Sequence, residues 1–192
     1  MIYVLSGVLE IRYMVYNGTQ VIRTARLTLR PFVETDGGDM LRNWIADPEI
    51  QYEYGEPVYT TEHQVQELLH TWICRYKDCT FYRWAIVEDR SRQNIGQIAF
   101  CRVYPMIAAA EIEYCIGASF QGNGYAAEAL EAVIAYALYE DGFQKLEAYH
   151  REENRKSGRV LEKSSMQVTD TIQRFMMENR KPEGEICYCI CK

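Results

Sequence analysis

A change of hydrophobic period near the middle of the chain constrains the fold more than any other feature. Glu111 to Gly117 (EIEYCIG) sets Ile112, Tyr114 and Ile116 on one face at the two-residue period of a strand. From Ala126 onward, Leu130, Val133, Ile134, Ala137 and Leu138 line one stripe at helical spacing. The switch falls at Gly122 and Gly124, residues that let a backbone approach a ligand with no Cβ in the way. The first turn of the following helix has amide N–H groups without internal partners, and the helix dipole adds partial positive charge there. Strand, glycine turn and helix in this order form either a tight connection in an α/β domain or a cradle for a phosphate or pyrophosphate. Two phosphate motifs are excluded by the residues present. A P-loop requires Lys and then Ser or Thr after its last glycine, where this chain has Tyr125 and Ala126. The dinucleotide fingerprint requires three glycines at fixed offsets, which Gln121 to Ala126 does not supply.

Around this centre the chain alternates strand and helix signals. Arg23 to Phe32 reads as a strand ended by Pro31, and Asp39 is placed to cap a short helix carrying Met40, Leu41, Trp44 and Ile45. Asp47-Pro48 is read as its stop, and the aromatic stretch EIQYEYGEPVY as a loop. Thr61 opens a second helix with Gln64 at capping-box spacing. Arg83 to Glu88 and Ile95 to Val103 read as strands that form a meander with Glu111 to Gly117. The helix after the glycine turn runs to about Tyr139, and Gln144 to Tyr149 then lies parallel to the strand before it. Asn154 to Lys163 reads as a short helix, and Met166 to Met177 with Glu185 to Cys191 as a closing hairpin.

The length, 192 residues, suits one domain with its own core. A formal charge of −6 leaves no basic footprint for nucleic acid. The apolar runs of the opening MIYVLSGVLEIRYM are too short to span a bilayer, and the stretch lacks the basic start and cleavage site of a secretory signal. No membrane association and a cytoplasmic location are therefore expected, with the seven cysteines reduced. Cys187, Cys189 and Cys191 alternate on a terminal strand and read as small apolar residues, and His63 and His70 share a helix face. No metal is expected at either place.

Gln121-Gly122-Asn123-Gly124-Tyr125-Ala126 matches the Q/R-x-x-G-x-G/A signature and resembles the GNAT acyltransferases, with Ala126 in the last position. The flanks Ala110-Glu111-Ile112 with Tyr114, and Ala127-Glu128-Ala129-Leu130, resemble the RimJ/RimL-like branch, which acetylates protein N-terminal amines. Asn154-x-x-Ser157 followed by Leu161-Glu162-Lys163 resembles the N-x-x-S…L-E-K segment of the same branch. The resemblance covers roughly residues 24 to 190. It implies a mixed α/β GNAT fold, a splayed and mostly antiparallel sheet of about seven strands with about four helices. On that reading residues 24–192 are one acetyltransferase domain and residues 1–23 an extension of undefined role.

The resemblance also implies acetyl-CoA as co-substrate, with transfer to a primary amine by direct attack in a ternary complex. The amine belongs to a peptide N-terminus or a small molecule. Gly122, Gly124, Tyr125 and Ala126, within the turn Gln121 to Ala126 that includes Asn123, are expected to grip the pyrophosphate. Backbone near Cys115, Ile116 and Gly117 pairs with the pantetheine arm, and Asn154 bonds its amides. An amine must lose a proton before attack. Glu111 and Glu113 project from the same face of one strand, where two close carboxylates can raise one pKa. The family context favours Glu111 as base, with Glu113 shaping acceptor choice; His150 is a third candidate. Many relatives protonate the leaving thiolate with a tyrosine where this chain has Leu161, so Ser157 or water takes that part. Tyr52, Tyr54 and Tyr59 are candidates for acceptor contacts. Two other readings stay open, an acyl-CoA-binding sensor module with little catalysis, and a polyamine or antibiotic N-acetyltransferase. A homodimer is the assembly common in this branch.

Overall fold

The computed structural model describes residues 2–5, 8–11 and 16–192. β1 (Ile2–Leu5) and β2 (Val8–Ile11) form an antiparallel hairpin with Ile2 opposite Ile11. Part of the extension expected over residues 1–23 lies outside the described residues. The main sheet has eight strands. They are β3 (Ile22–Arg23), β4 (Leu27–Arg30), β5 (Arg83–Glu88), β6 (Asn94–Tyr104), β7 (Ala109–Ile116), β8 (Lys145–Arg151), β9 (Gln167–Thr169) and β10 (Glu185–Cys191). Their order is β3-β4-β5-β6-β7-β8-β10-β9, and every pairing is antiparallel except β7 with β8.

That exception follows from the change of period. Ala126, Ala127, Ala129, Leu130 and Ala132 are strong helix formers, so the chain leaves β7 into α4 (Tyr125–Ala135) and crosses over before returning as β8. α4 ends in a single π-helical turn, Tyr136–Glu140. Asp141 closes that end, accepting from the Asn17 amide at 2.7 Å and from the Tyr82 hydroxyl. The Tyr136 hydroxyl donates to the Gly18 carbonyl at 2.8 Å.

Two apolar layers sandwich the sheet. On one side Leu130, Val133, Ile134 and Leu138 pack against Trp84, Ile98, Phe100 and Ile112, with Leu161 of α5 (Arg155–Glu162) beside them. On the other, α1 (Gly37–Asn43) and α3 (Glu62–Arg75) bury Met40, Val65, Leu69 and Trp72 against Ala85, Val87 and Cys115. Each fully buried aliphatic side chain contributes roughly 1.5–3 kcal/mol relative to exposure.

Several elements differ from the sequence reading. The expected strand over Arg23 to Phe32 is broken by a turn, in which the Thr24 amide donates to the Leu27 carbonyl at 2.9 Å, leaving β3 and β4 as a small hairpin. Asp39 lies inside α1 and accepts from the Asn94 amide, while Asp36 precedes the helix and pairs with Arg30. The segment read as a loop contains α2 (Pro48–Tyr54). Asp47-Pro48 starts that helix, because the Asp47 carboxylate accepts from the amides of Glu49 and Ile50 and proline fits the first helical position. Gly55, with φ of +82°, closes it in the left-handed conformation. Met166 to Met177 gives only the short β9 and then α6 (Gln173–Met177); with β3 and β4 separate, the sheet has eight strands where about seven were expected, and the described residues form six α-helices where about four were. Replacing Asp47 with alanine is expected to cost about 1 kcal/mol of stability. The check is a lower urea midpoint at unchanged slope; an unmoved midpoint would mean that the cap contributes nothing.

Candidate active site

The parallel pairing of β7 with β8 has three rungs, Ala109↔Lys145, Ala110↔Leu146 and Glu111↔Glu147, and then stops. Beyond it Ile112–Ile116 and Ala148–Arg151 separate, and a cleft of about 1040 Å³ opens between them. Its walls include Glu111, Glu113, Cys115, Ile116, Asn154 and Ser157. The volume is that of a cofactor site rather than of a packing defect.

At one end of the cleft lies the N-terminus of α4. Gly122 and Gly124 have φ of +79° and +81°, and a Cβ at Gly122 would meet nothing within 4 Å. No side chain caps the helix, so its first amides, which lack internal partners, remain free for an anion. Behind the turn Arg26 donates to the Asn123 carbonyl at 2.9 Å and to Glu128 at 2.7 Å, with its guanidinium 4.6 Å over the Tyr125 ring. Lys156, Arg159 and Lys163 line the edge nearest α5. Open backbone at a helix N-terminus with cations alongside fits the diphosphate of acetyl-CoA.

The two glutamates share a strand face, and each has its own arginine. Glu111 is 1 % exposed; its Oε1 lies 3.5 Å from Arg174 of α6, and its Oε2 has no partner. Burial raises the Glu111 carboxyl above its ordinary value, and Arg174 acts in the opposite direction. Glu113 accepts from the Tyr54 hydroxyl at 2.6 Å and from Arg83 at 2.9 Å, and Arg83 also bonds Gln97. The expected coupling of the two carboxylates is therefore replaced by two separate ion pairs, and burial rather than Glu113 is what raises Glu111. Burial also pushes the Tyr54 phenol well above its ordinary value, with Glu113 adding to it.

Not every candidate reaches the cleft, and Gln121, Asn154 and His150, which line it, are held by local hydrogen bonds. α2 turns Tyr52 outward to 70 % exposure, where Arg151 lies 5.1 Å over its ring. Tyr59 packs with the second apolar layer. The Asn123 amide turns back to the carbonyls of Phe120 and Gln121, so it shapes the turn. Gly117 donates to the Ile95 carbonyl at 2.8 Å and lies against the Asn43 backbone. Gln121 donates to the Ile116 carbonyl at 2.9 Å. The Asn154 Oδ1 caps α5 by accepting from the Ser157 amide at 3.0 Å, which leaves only its Nδ2 for a ligand. His150 is buried against Gly158, with Nδ1 hydrogen-bonded to the Arg151 carbonyl at 2.8 Å.

Three lining residues escaped the sequence reading. Arg174 stacks 4.3 Å over the Tyr149 ring and reaches Glu111 from α6, an element read as strand. Cys101 keeps part of its surface in the open cleft. Its crowded surroundings, and then Glu113 and Glu111, push its thiol well above the usual range. A thiol held protonated is a poor acyl carrier. Tyr114 brings its hydroxyl to 3.0 Å from Ser157 Oγ. The contacts of Arg174 and Tyr114 have no local sequence signal, because each joins elements distant in the chain.

The profile of the acetyltransferase (GNAT) domain matches residues 26–167. An uncharacterized N-acetyltransferase of Bacillus subtilis, YoaA, is 26 % identical over 172 residues, 90 % of this chain and 97 % of that protein. Among solved structures, a GNAT-family acetyltransferase from Bacillus anthracis superposes with a TM-score of 0.71 at 22 % identity, covering 90 % of this chain and 98 % of that one. A ribosomal-protein-S5-alanine acetyltransferase from Vibrio fischeri gives 0.73 at 15 % identity, covering 90 % and 96 %. At these identities the structural likeness speaks for the fold.

A carboxyl whose pKa is higher in the folded than in the unfolded chain binds more protons when folded. Stability then falls as pH rises from the unfolded value of about 4.3 towards the folded one. Glu111→Gln removes that loss. The variant is expected to gain stability relative to the wild type between about pH 4 and neutrality, read from paired urea titrations. A constant difference across that range would show that Glu111 titrates as an ordinary surface carboxyl.

Proposed function

Because this chain belongs to the GNAT family and is an acetyl-CoA-dependent acetyltransferase, we propose that it moves the acetyl group to a primary amine by direct attack in a ternary complex. The observation that carries this reading is the uncapped N-terminus of α4, with its open glycines, at the mouth of the cleft where β7 and β8 part. The amides of Gly122, Gly124, Tyr125 and Ala126 hold the diphosphate. Pantetheine lies between the parted strands beside Cys115 and Ile116, within reach of the Asn154 Nδ2. Glu111 removes the amine proton through a water, which its partnerless buried oxygen is suited to hold. Glu113, already neutralised by Arg83, shapes the acceptor side together with Tyr54.

The acceptor we favour is a protein N-terminal α-amine, as in the RimJ/RimL-like branch. The flanking motifs Ala110-Glu111-Ile112 and Ala127-Glu128-Ala129-Leu130 support it. Glu53 and Glu56 on the acceptor rim favour a cationic acceptor, which keeps a polyamine as the second reading. An acyl-CoA-binding sensor is the third, favoured by Leu161, fully buried where relatives carry an acidic tyrosine. No helix among the described residues is long and apolar enough to cross a membrane, and the proposed setting is the cytoplasm.

Calorimetric titration with acetyl-CoA tests the donor site. Gly122→Asp projects a carboxylate into the open space at the turn and is expected to weaken binding at least about tenfold in a still-folded protein. Equal binding to both proteins would remove the glycine turn from the site. Peptides with free N-termini, polyamines and simple amines, assayed for released CoA, then separate the acceptor classes; binding with no release from any of them would favour the sensor. Glu111→Gln is expected to lower turnover on the order of 10²-fold or more with acetyl-CoA affinity unchanged, and unaltered turnover would remove Glu111 as the base.

A further inference from the structure

Departure of the thiolate is the step for which this chain lacks its relatives' usual group. Leu161 is fully buried in the core, so nothing at that position can reach the sulfur. Tyr114 of β7 packs against the same apolar layer, on the α4 side of the sheet, and reaches the first turn of α5. Its hydroxyl lies 3.0 Å from Ser157 Oγ and 3.2 Å from the Ser157 carbonyl oxygen. Both residues line the cleft, and the contact bridges its two walls.

A phenol has one proton to give, and two acceptors compete for it. When Tyr114 donates to the Ser157 carbonyl, Ser157 turns its own O–H back to the phenol oxygen. When Tyr114 donates to Oγ instead, the Ser157 O–H is released and points into the cleft. We propose that Tyr114 is a positioning residue for the leaving group, which sets the Ser157 hydroxyl to donate a hydrogen bond to the sulfur as the C–S bond breaks. The inference rests on the acetyl-transfer reading above. The balance of the step is simple. The amine nitrogen forms the new N–C bond, the C–S bond breaks with its electron pair going to sulfur, and the proton that the nitrogen loses ends on the thiol. The hydroxyl pair supplies no net proton; it stabilises negative charge on sulfur, as preorganised donors do elsewhere.

The arrangement makes a prediction about bound CoA that needs no turnover. Donors aimed at the sulfur favour thiolate over thiol, so affinity for CoA relative to desulfo-CoA should rise with pH in the wild type. In Tyr114→Phe that rise should be lost, while affinity for desulfo-CoA stays within about twofold. In the catalysed reaction Tyr114→Phe should lower kcat about tenfold, the worth of one neutral hydrogen bond, at an unchanged KM for acetyl-CoA. Adding Tyr114→Phe to Ser157→Ala should lower kcat no further. A rise with pH that survives in Tyr114→Phe, or is absent in the wild type, would overturn the proposal. So would a double variant whose losses multiply. If Tyr114→Phe proves unstable, Ser157→Ala alone must abolish the rise, and its persistence there would overturn the idea equally. A wild type that binds CoA with the expected pH dependence yet acetylates no amine would sink the acetyl-transfer reading and leave the hydroxyl pair standing.

Discussion

The site depends on a hydrogen-bond ladder that stops early. β7 and β8 hold together through three rungs and then part, although β7 stays paired with β6 and β8 with β10 on their outer sides. The parting leaves two lengths of backbone with donors and acceptors on their inner sides, which must find water or a ligand. Sheet edges of this kind invite strand addition. Here the edge faces inward, onto the cleft between β7 and β8. Cys115, Ile116, Asn154 and Ser157 line this gap, and the crossover helix α4 delivers its uncapped N-terminus to one end of it.

The sheet also divides the chemistry between its faces. Alternation along β7 sends Tyr114 towards α4 and α5, and Glu111, Glu113 and Cys115 towards α2, α3 and α6. The hydroxyl pair of Tyr114 and Ser157 and the two carboxylates thus lie on opposite faces of one strand. On the acceptor side each carboxylate faces a partly buried arginine. Such pairs stabilise little in net terms, since desolvation offsets attraction, but removing one partner strands the other. At Glu111 burial is the larger of the two influences and leaves the carboxyl above its ordinary value despite Arg174.

Much of this was legible in the sequence because it is local. The change of period at Gly122 and Gly124, the capping box at Thr61 and Gln64, and the alternation of Glu111 to Gly117 each depend on residues a few positions apart. α2 was also written locally, in Asp47, Pro48 and Gly55, but the same residues are ordinary loop formers and the aromatic run between them shows no clear stripe. What could not be read were contacts between distant elements. Arg174 meets Glu111 across 63 positions of chain, and Tyr114 meets Ser157 across 43. Strand alternation placed Glu111 and Glu113 on one face correctly, yet said nothing of the arginines that separate them.

The far end of α4 has a different consequence. Asp141, Tyr136, Trp84 and Phe81 fix Asn17 to Gln20 through hydrogen bonds to backbone and side chain. This anchor lies beyond the π-helical turn, roughly 20 Å along the helix from the glycine turn at the usual rise per residue. Tyr16, packed on Phe143, and the four residues after it are therefore held at a fixed point remote from the glycine turn. A fluorescent reporter attached at that anchor would report on the far end of α4 while leaving the glycine turn itself unaltered.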